Sequence, residues 1–256
     1  MPLGRKSILE ALVASLEPLP YTVALYEGGA AAWGRVDAWS DIDLYLVVED
    51  DRVEDAMREV EAALVRIARI EQKLEAPHPP ASGIAQAFYR LEGAGPFLLV
   101  DIEVLKRSAP DKDLEPELHG DLVFLFNKGG AISPAALDRV AFEDNRRERL
   151  ARLQGRHAMF HAFVEKEMHR GNWIEAIDLY RTICLNPLLE VLRMKHAAHH
   201  YGFRTRYVHA ELPADVVSRF QHLAFVENPD DLAAKYPQAI AWFQETVREL
   251  EAAESA

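Results

Sequence analysis

Residues 27–48 read EGGAAAWGRVDAWSDIDLYLVV, and this stretch decides the fold assignment. Gly28 and Gly29 end one apolar segment, and an Asp-x-Asp pair, Asp41 and Asp43, opens the next. Because side chains alternate along a strand, the two carboxylates are expected on one face. Two adjacent carboxylates repel each other unless a cation lies between them, and that cation is usually divalent. The stretch therefore predicts a metal site at the start of a strand.

The composition is that of an ordinary globular protein. The chain has 256 residues, of which 49% are hydrophobic, enough for one large domain or two smaller ones. No apolar run approaches the roughly 18 residues that a membrane-spanning helix needs, so no membrane partner is expected. A single cysteine, Cys184, excludes an internal disulfide and favours a reducing compartment. We therefore expect a cytoplasmic location.

The charge is strongly negative and unevenly distributed. The formal net charge is -12, and residues 1–130 carry 13 Lys and Arg against 23 Asp and Glu. An acidic surface repels phosphate backbones, so nucleic acid is not expected as a partner. The same field would attract a cationic small molecule, although simple solubility also explains it.

The first half of the sequence alternates strand and helix patterns. The predicted elements are helices over 5–17, 30–33 and 51–74 and strands over 21–26, 41–48, 84–91, 97–105 and 122–126. The stretch 109–117 is rich in proline and charge, which predicts a loop.

The second half shows only helical periodicity, over 134–170, 172–200 and 213–254. Ser133 before Pro134 predicts an N-cap followed by proline at the first helical position. The sequence thus predicts an α+β fold, with an α/β domain over 1–130 that contains a mixed sheet and a helical domain over 131–256.

A third acidic position lies in the predicted strand over 97–105. Asp101 and Glu103 share one face of an otherwise apolar run, where a carboxylate is costly unless it is paired or bound to metal. If this strand lies beside the Asp41 strand, Asp101 joins the first two carboxylates. Three carboxylates on adjacent strands suit two Mg²⁺ ions that clamp a nucleotide for in-line displacement at phosphorus.

In this order, the motifs resemble the signature of the DNA polymerase β-like nucleotidyltransferase superfamily. They are Gly28-Gly29, then Ser40-Asp41-Ile42-Asp43-Leu44, then Asp101 on a later strand. The length and the trailing helical half are similar to the bacterial aminoglycoside and lincosamide nucleotidyltransferases. The match covers roughly residues 20–105.

The resemblance implies a role for each matched position. Asp41, Asp43 and Asp101 would be the catalytic carboxylates and would bind two Mg²⁺ ions, and Gly28 and Gly29 would hold the triphosphate. Most members have Gly-Ser where this chain has Gly28-Gly29. A backbone amide or Ser40 is expected to replace the missing hydroxyl. Family members often pair, so the resemblance also implies a homodimer.

The helical half offers further candidates. Arg193 and Lys195 could neutralise the leaving pyrophosphate, or each could form an ion pair with a neighbouring glutamate. The sequence does not single out one general base. The candidates are Asp101 and Glu103 on the strand and Glu165 and Glu167 in the helical half.

The predicted activity is Mg²⁺-dependent transfer of a nucleoside monophosphate to a small-molecule hydroxyl, with release of pyrophosphate. ATP is the expected donor, so that AMP is the group transferred. The acidic charge and the resemblance favour an aminoglycoside-type antibiotic as acceptor, so that the enzyme would confer resistance. Two alternatives are an antitoxin-type AMP transferase that modifies a partner protein and a catalytically weakened nucleotide-binding module.

Overall fold

The computed structural model describes residues 3–79, 82–109 and 114–254. The chain divides between Leu137 and Asp138 into two compact units, whereas the sequence placed the division after residue 130. Of the loop predicted over 109–117, residues 110–113 lie outside the described part. In the described ranges, no helix has the length and apolar character needed to cross a bilayer.

The described part of the first unit contains four α-helices, six strands and a short 3₁₀ segment, Lys128–Gly130. The helices are α1 (Arg5–Leu16), α2 (Gly29–Ala32), α3 (Val53–Ile67) and α4 (Pro116–His119). The strands are β1 (Thr22–Glu27), β2 (Ile42–Val48), β3 (Ile70–Ala76), β4 (Ile84–Leu91), β5 (Val100–Lys106) and β6 (Val123–Asn127).

These strands form one mixed sheet in the order β3-β4-β5-β2-β1-β6. The β2 and β5 strands are parallel neighbours, and the other adjacent pairs are antiparallel. The strand that follows Asp41 therefore lies directly beside the strand that carries Asp101, as the three-carboxylate hypothesis requires.

The two faces of the sheet differ in how they are covered. One face packs against α1 and α3, and its buried residues include Leu12, Leu44, Leu64 and Ile102. The opposite face carries Asp43 and Asp101, and it is covered by a smaller cluster centred on Tyr26, Val47 and Leu105. Buried and half-buried side chains alternate at the start of β2. The half-buried ones are the odd-numbered residues, which lie on the face that carries Asp43.

The helix predicted over 51–74 is too long. It ends at Ile67, Ala68 is extended, and residues 70–76 form the edge strand β3. Ile70 and Leu74 continue the helical spacing, and Glu71, Gln72 and Lys73 are good helix formers. Pairing with β4 overrides these local preferences, which no local pattern reveals.

The second unit is helical throughout its described part. Its α-helices are α5 (Arg139–Phe160), α6 (Ala162–His169), α7 (Trp173–Leu179), α8 (Asn186–His196), α9 (Val208–Glu211), α10 (Ala214–Ala224) and α11 (Pro229–Glu254). A π-helical segment, Tyr180–Leu185, joins α7 to α8, and a 3₁₀ segment, Ala198–Phe203, follows α8. A mixed sheet in one unit and helices in the other confirm the predicted α+β class.

The predicted start of the first helix of this unit was wrong. Ser133 and Pro134 precede the helix, and Asp138 is its N-cap, with a carboxylate that accepts the Ala141 N–H at 3.0 Å. The segment before the helix is held by Asn127 instead. Its Oδ1 accepts the Ile132 N–H, and its Nδ2 donates to the Ile132 carbonyl.

Candidate active site

The three predicted carboxylates meet where β2 and β5 begin. Asp43 and Asp101 are paired in the parallel β2–β5 register, so they lie side by side on the same sheet face. Asp41 immediately precedes β2, and its Oδ1 accepts the N–H of Leu99, just before β5, at 3.3 Å. The fold thus brings together residues that are 60 positions apart in sequence.

A side chain that the sequence analysis missed contacts Asp101. The Nε2 of Gln86, on β4, donates to both carboxylate oxygens of Asp101, at 2.9 and 3.1 Å. Burial raises the pKa of Asp101, the Gln86 hydrogen bond lowers it, and the negative charges of Asp43 and Asp41 raise it further. The three carboxylates therefore interact electrostatically.

The two glycines lie against Asp43. The N–H of Gly28 donates to the backbone carbonyl of Asp43 at 3.0 Å. Gly29 has φ +52°, and a Cβ built on it would overlap Oδ2 of Asp43 and lie 2.6 Å from its Cγ. Both the left-handed backbone and the close carboxylate require glycine at this position. A serine at position 29, as in most members of the family that the sequence resembles, does not fit this arrangement.

An ion pair behind the site was also missed. The Nη1 of Arg5, on α1, donates to the backbone carbonyl of Asp41 at 2.5 Å, and its Nη2 donates to Oε2 of Glu27 at 2.8 Å. The Glu27 side chain is 7% exposed and directly precedes Gly28. A carboxylate at the end of a buried strand needs a cation, which is the signal that could have located Arg5.

Ser40 takes part in a turn. Its Oγ donates to Oδ1 of Asp37 at 2.8 Å and accepts the Asp37 N–H at 2.9 Å. The hydrogen bonds from Ser40 and from the Trp39 N–H hold the pKa of Asp37 below its usual value. To donate to a phosphate, the Ser40 hydroxyl would have to leave Asp37.

The carboxylate set has the oxygen donors that Mg²⁺ prefers. In the described residues, however, no three His, Cys, Asp or Glu side chains are already arranged around a common metal position. Asp41 is directed to Leu99 and Asp101 to Gln86. The residues fit the metal by chemistry and by register. Each carboxylate has two oxygens, so Asp41 and Asp101 could bind an ion while they keep the hydrogen bonds from Leu99 and Gln86, once their side chains turn toward a common position.

The basic candidates of the second unit form ion pairs. Arg193 is fully buried, with Nη1 2.7 Å from Oε2 of Glu211 and Nε donating to the Arg204 carbonyl at 2.7 Å. Lys195 Nζ lies 2.8 Å from Oε2 of Glu249. The ion-pair alternative is thus the one observed for both, and Arg193 has no exposed surface with which to contact pyrophosphate here.

Of the two glutamates in the second unit, Glu167 is structurally engaged. Its oxygens accept from Asn172 Nδ2 and Arg170 Nη1, each at 2.7 Å, and the Asn172 hydrogen bond is the main reason that its pKa is lowered. Glu165 is largely exposed, with Oε1 3.6 Å from Nε2 of His169. In the first unit, Glu103 lies two residues beyond Asp101 on the same strand face, opposite Gln86.

Comparison with known proteins gives similarity in structure only. No protein-family model matches the sequence, and no curated protein matches it significantly. An aminoglycoside 6-adenyltransferase from Bacillus subtilis is similar at 15% identity and a TM-score of 0.38, over 94% of this chain and 88% of that one. A spectinomycin adenyltransferase from Enterococcus faecialis, solved with ATP and spectinomycin, is similar at 12% identity and a TM-score of 0.33, over 96% and 99%.

Proposed function

We propose that this chain is a Mg²⁺-dependent nucleotidyltransferase that transfers a nucleoside monophosphate to a hydroxyl group of a small molecule. The preferred donor is ATP, from which AMP is transferred. One observation carries the proposal. Asp43 and Asp101 are paired on parallel neighbouring strands, with Asp41 beside them and the Gly28–Gly29 turn against Asp43. Carboxylates in this arrangement match the ligands of two-metal sites that act in in-line displacement at phosphorus.

The three carboxylates would hold the metal. Asp41 and Asp101 would bind it through lone pairs that the hydrogen bonds from Leu99 and Gln86 leave available, and Asp43 already lies beside Asp101. When bound, Mg²⁺ would neutralise charge on the phosphate oxygens and stabilise the departing pyrophosphate.

The Gly28–Gly29 turn would lie against the triphosphate. The Gly28 N–H is already bonded to Asp43, so amides that follow Gly28 would contact phosphate. The absence of a Cβ at position 29 keeps the Asp43 carboxylate in place, and catalysis would rest on positioning and electrostatics.

In the reaction, the acceptor hydroxyl attacks the α-phosphorus of the nucleotide. The new O–P bond forms as the bond to the β-phosphate oxygen breaks, and pyrophosphate leaves. The hydroxyl proton passes to a carboxylate, for which Asp101 and Glu103 are the candidates in the first unit. Both lie on the sheet face that carries Asp43.

Nucleotide binding and transfer can be measured separately. Binding of each of the four NTPs with Mg²⁺ is measured by calorimetry for the wild type and for Asp41→Ala. Transfer is then followed with α-labelled NTPs and a panel of hydroxylated small molecules that includes aminoglycosides. We expect a labelled small molecule with the wild type and none with the variant.

Other outcomes favour the alternatives. Nucleotide binding that survives Asp41→Ala, with no labelled product from any acceptor, would support the binding-module alternative. Label on a co-purified protein would instead support the protein-modifying alternative. The expected homodimer is a separate question, which is tested by measuring the mass of the protein in solution.

A further inference from the structure

A recess lies over β3 and β4, next to the carboxylates. Its volume is about 690 Å³, within the range of roughly 300–1,000 Å³ typical of small-molecule sites. It is lined by Glu71, Gln72, Lys73, Leu74, Phe88, Arg90 and Leu99.

The recess and the proposed reaction centre lie on the same face of the sheet, in neighbouring strands. Phe88 is paired with Asp101 across β4 and β5, and Leu74 is paired with Phe88 across β3 and β4. Paired residues point to the same face, so these side chains form one row with Asp43. The Leu99 N–H contacts Asp41. A molecule in the recess would therefore have its edge beside the carboxylates.

The floor of the recess is apolar and partly uncovered. Leu74 is 67% exposed on the edge strand, and Phe88 and Leu99 are half-buried. A flat ring placed on these three side chains would gain both apolar burial and contact with the Phe88 ring.

The charges at the recess distinguish acceptor classes. Lys73 is ion-paired with Glu61 and with Glu75, the latter at 2.6 Å, so its charge is compensated. Arg90 donates through Nη1 to the Pro96 carbonyl at 2.5 Å, and within residues 3–79, 82–109 and 114–254 it forms no ion pair with a carboxylate. A guanidinium has five N–H donors, so Arg90 can also bind an anionic group.

We propose that this recess binds the acceptor, and that the acceptor carries an apolar ring and an anionic group. The inference rests on the proposed function, because it assigns the acceptor side of that same site. It differs from the aminoglycoside expectation. A polycation would meet Arg90 as a like charge and would gain little from Leu74, Phe88 and Leu99, and the exposed Glu71 is the one acidic side chain of the lining.

The test uses 4-hydroxyphenylacetate as a probe with a ring, a hydroxyl and a carboxylate, and it needs no catalysis. Its binding to the isotopically labelled full chain is followed by NMR shift titration. Tyramine, which has the same ring with an ammonium group, and kanamycin, a polycation, are titrated in parallel. The variants are Arg90→Gln, Leu74→Gln and Phe88→Leu, and Ile174→Gln, at an 88% exposed position in the other unit, is the matched control.

We expect 4-hydroxyphenylacetate to shift the amides of β3 and β4 and to bind more tightly than tyramine or kanamycin. Arg90→Gln should weaken it about tenfold, equivalent to about 1.4 kcal/mol, and Ile174→Gln should leave it unchanged. Absence of binding at β3 and β4, affinity unaffected by Arg90→Gln, or tighter binding of kanamycin there would overturn the inference. If the probe binds as expected while no nucleotide transfer is found, the proposed function fails and the ligand assignment of the recess stands.

Discussion

Gly29 and Asp43 are so close that a methyl group at position 29 would overlap Oδ2 of the Asp43 carboxylate. The glycine comes from the turn after β1, and the aspartate comes from β2, which pairs with β1. Most members of the family that the sequence resembles have Gly-Ser where this chain has Gly28-Gly29. Here the second residue is glycine because the Asp43 carboxylate occupies the space that a side chain at position 29 would need.

Gly29→Ala and Gly29→Ser should lower nucleotidyl transfer at least about a hundredfold, because the new Cβ would displace Asp43 from Asp101. Gly34→Ala is the matched control. Gly34 also has positive φ, +62°, but a Cβ there meets nothing within 4 Å. Both alanines should cost about 1–2 kcal/mol of backbone strain in urea unfolding, and only Gly29→Ala should lose activity. Equal activity in the two variants would contradict the proposed role.

Arg5→Gln should lower the unfolding free energy by about 2 kcal/mol, because the Glu27 carboxylate loses its charged partner in a buried setting. It should also lower the transfer rate, since the Asp41 carbonyl loses a donor. Lys6→Gln serves as a control, because Lys6 lies 3.7 Å from Glu10 in an exposed pair. Arg5→Gln behaving like Lys6→Gln in both assays would remove Arg5 from the account.

Arg193→Met should destabilise the helical unit by about 3 kcal/mol, because the buried Glu211 loses its arginine partner and keeps His200, whose Nδ1 lies 3.1 Å from Oε1. Arg193→Met combined with Glu211→Met should recover part of this loss. Lys195→Met should cost less than about 1 kcal/mol, because its pair with Glu249 is partly exposed. All three are measured by urea denaturation of the full chain. Normal stability of Arg193→Met with a raised KM for the nucleotide would instead support the pyrophosphate contact.

His157 should make the helical unit sensitive to acid. It is 3% exposed and stacks on Phe243 at 4.0 Å, and burial, with the neighbouring His161 adding to it, lowers its pKa from 6.5 to about 4. Because the folded chain holds this histidine neutral, the stabilisation is complete above pH 6.5. It is lost as the pH falls toward 4, by up to about 3 kcal/mol.

The check on His157 is urea unfolding at pH 7 and at pH 4.5. His157→Leu should show a smaller loss of stability between the two values than the wild type, and His209→Leu, at an exposed position, should retain the wild-type loss. An unchanged pH dependence in His157→Leu would exclude this assignment.

The sequence located the site residues that follow strand periodicity. Asp43 and Asp101 lie on β2 and β5, and Asp41 immediately precedes β2. Both strands begin within a few residues of the predicted ones, because apolar runs predict buried strands well. Arg5 and Gln86 could not be found in this way. Gln86 contacts Asp101 through the pairing of β4 with β5, and Arg5 contacts Asp41 and Glu27 from α1; the buried Glu27 carboxylate calls for a cation but does not say which one.

The sequence predictions that were wrong fail for the same reason, because contacts between distant residues override the local pattern. The β3 strand was read as helix because its residues favour helix, and only pairing with β4 makes it a strand. Ser133 resembled a helix cap, but hydrogen bonds from Asn127 to Ile132 hold that segment, and Asp138 caps the helix instead. For Arg193 the sequence left two roles open, an anion contact and an ion pair with a glutamate, because its spacing does not reveal whether it is buried.

Nucleotidyl transfer at the three carboxylates can be followed with ATP that carries its label at one of two different phosphates. The wild type and Asp101→Asn are incubated with Mg²⁺, a pool of hydroxylated acceptors, and ATP labelled at either the α- or the γ-phosphate. We expect the wild type to move the α-label to an acceptor and to release the γ-label as pyrophosphate, and we expect folded Asp101→Asn to do neither. Transfer of the γ-label to an acceptor, no transfer of the α-label by the wild type, or undiminished transfer by Asp101→Asn would contradict it.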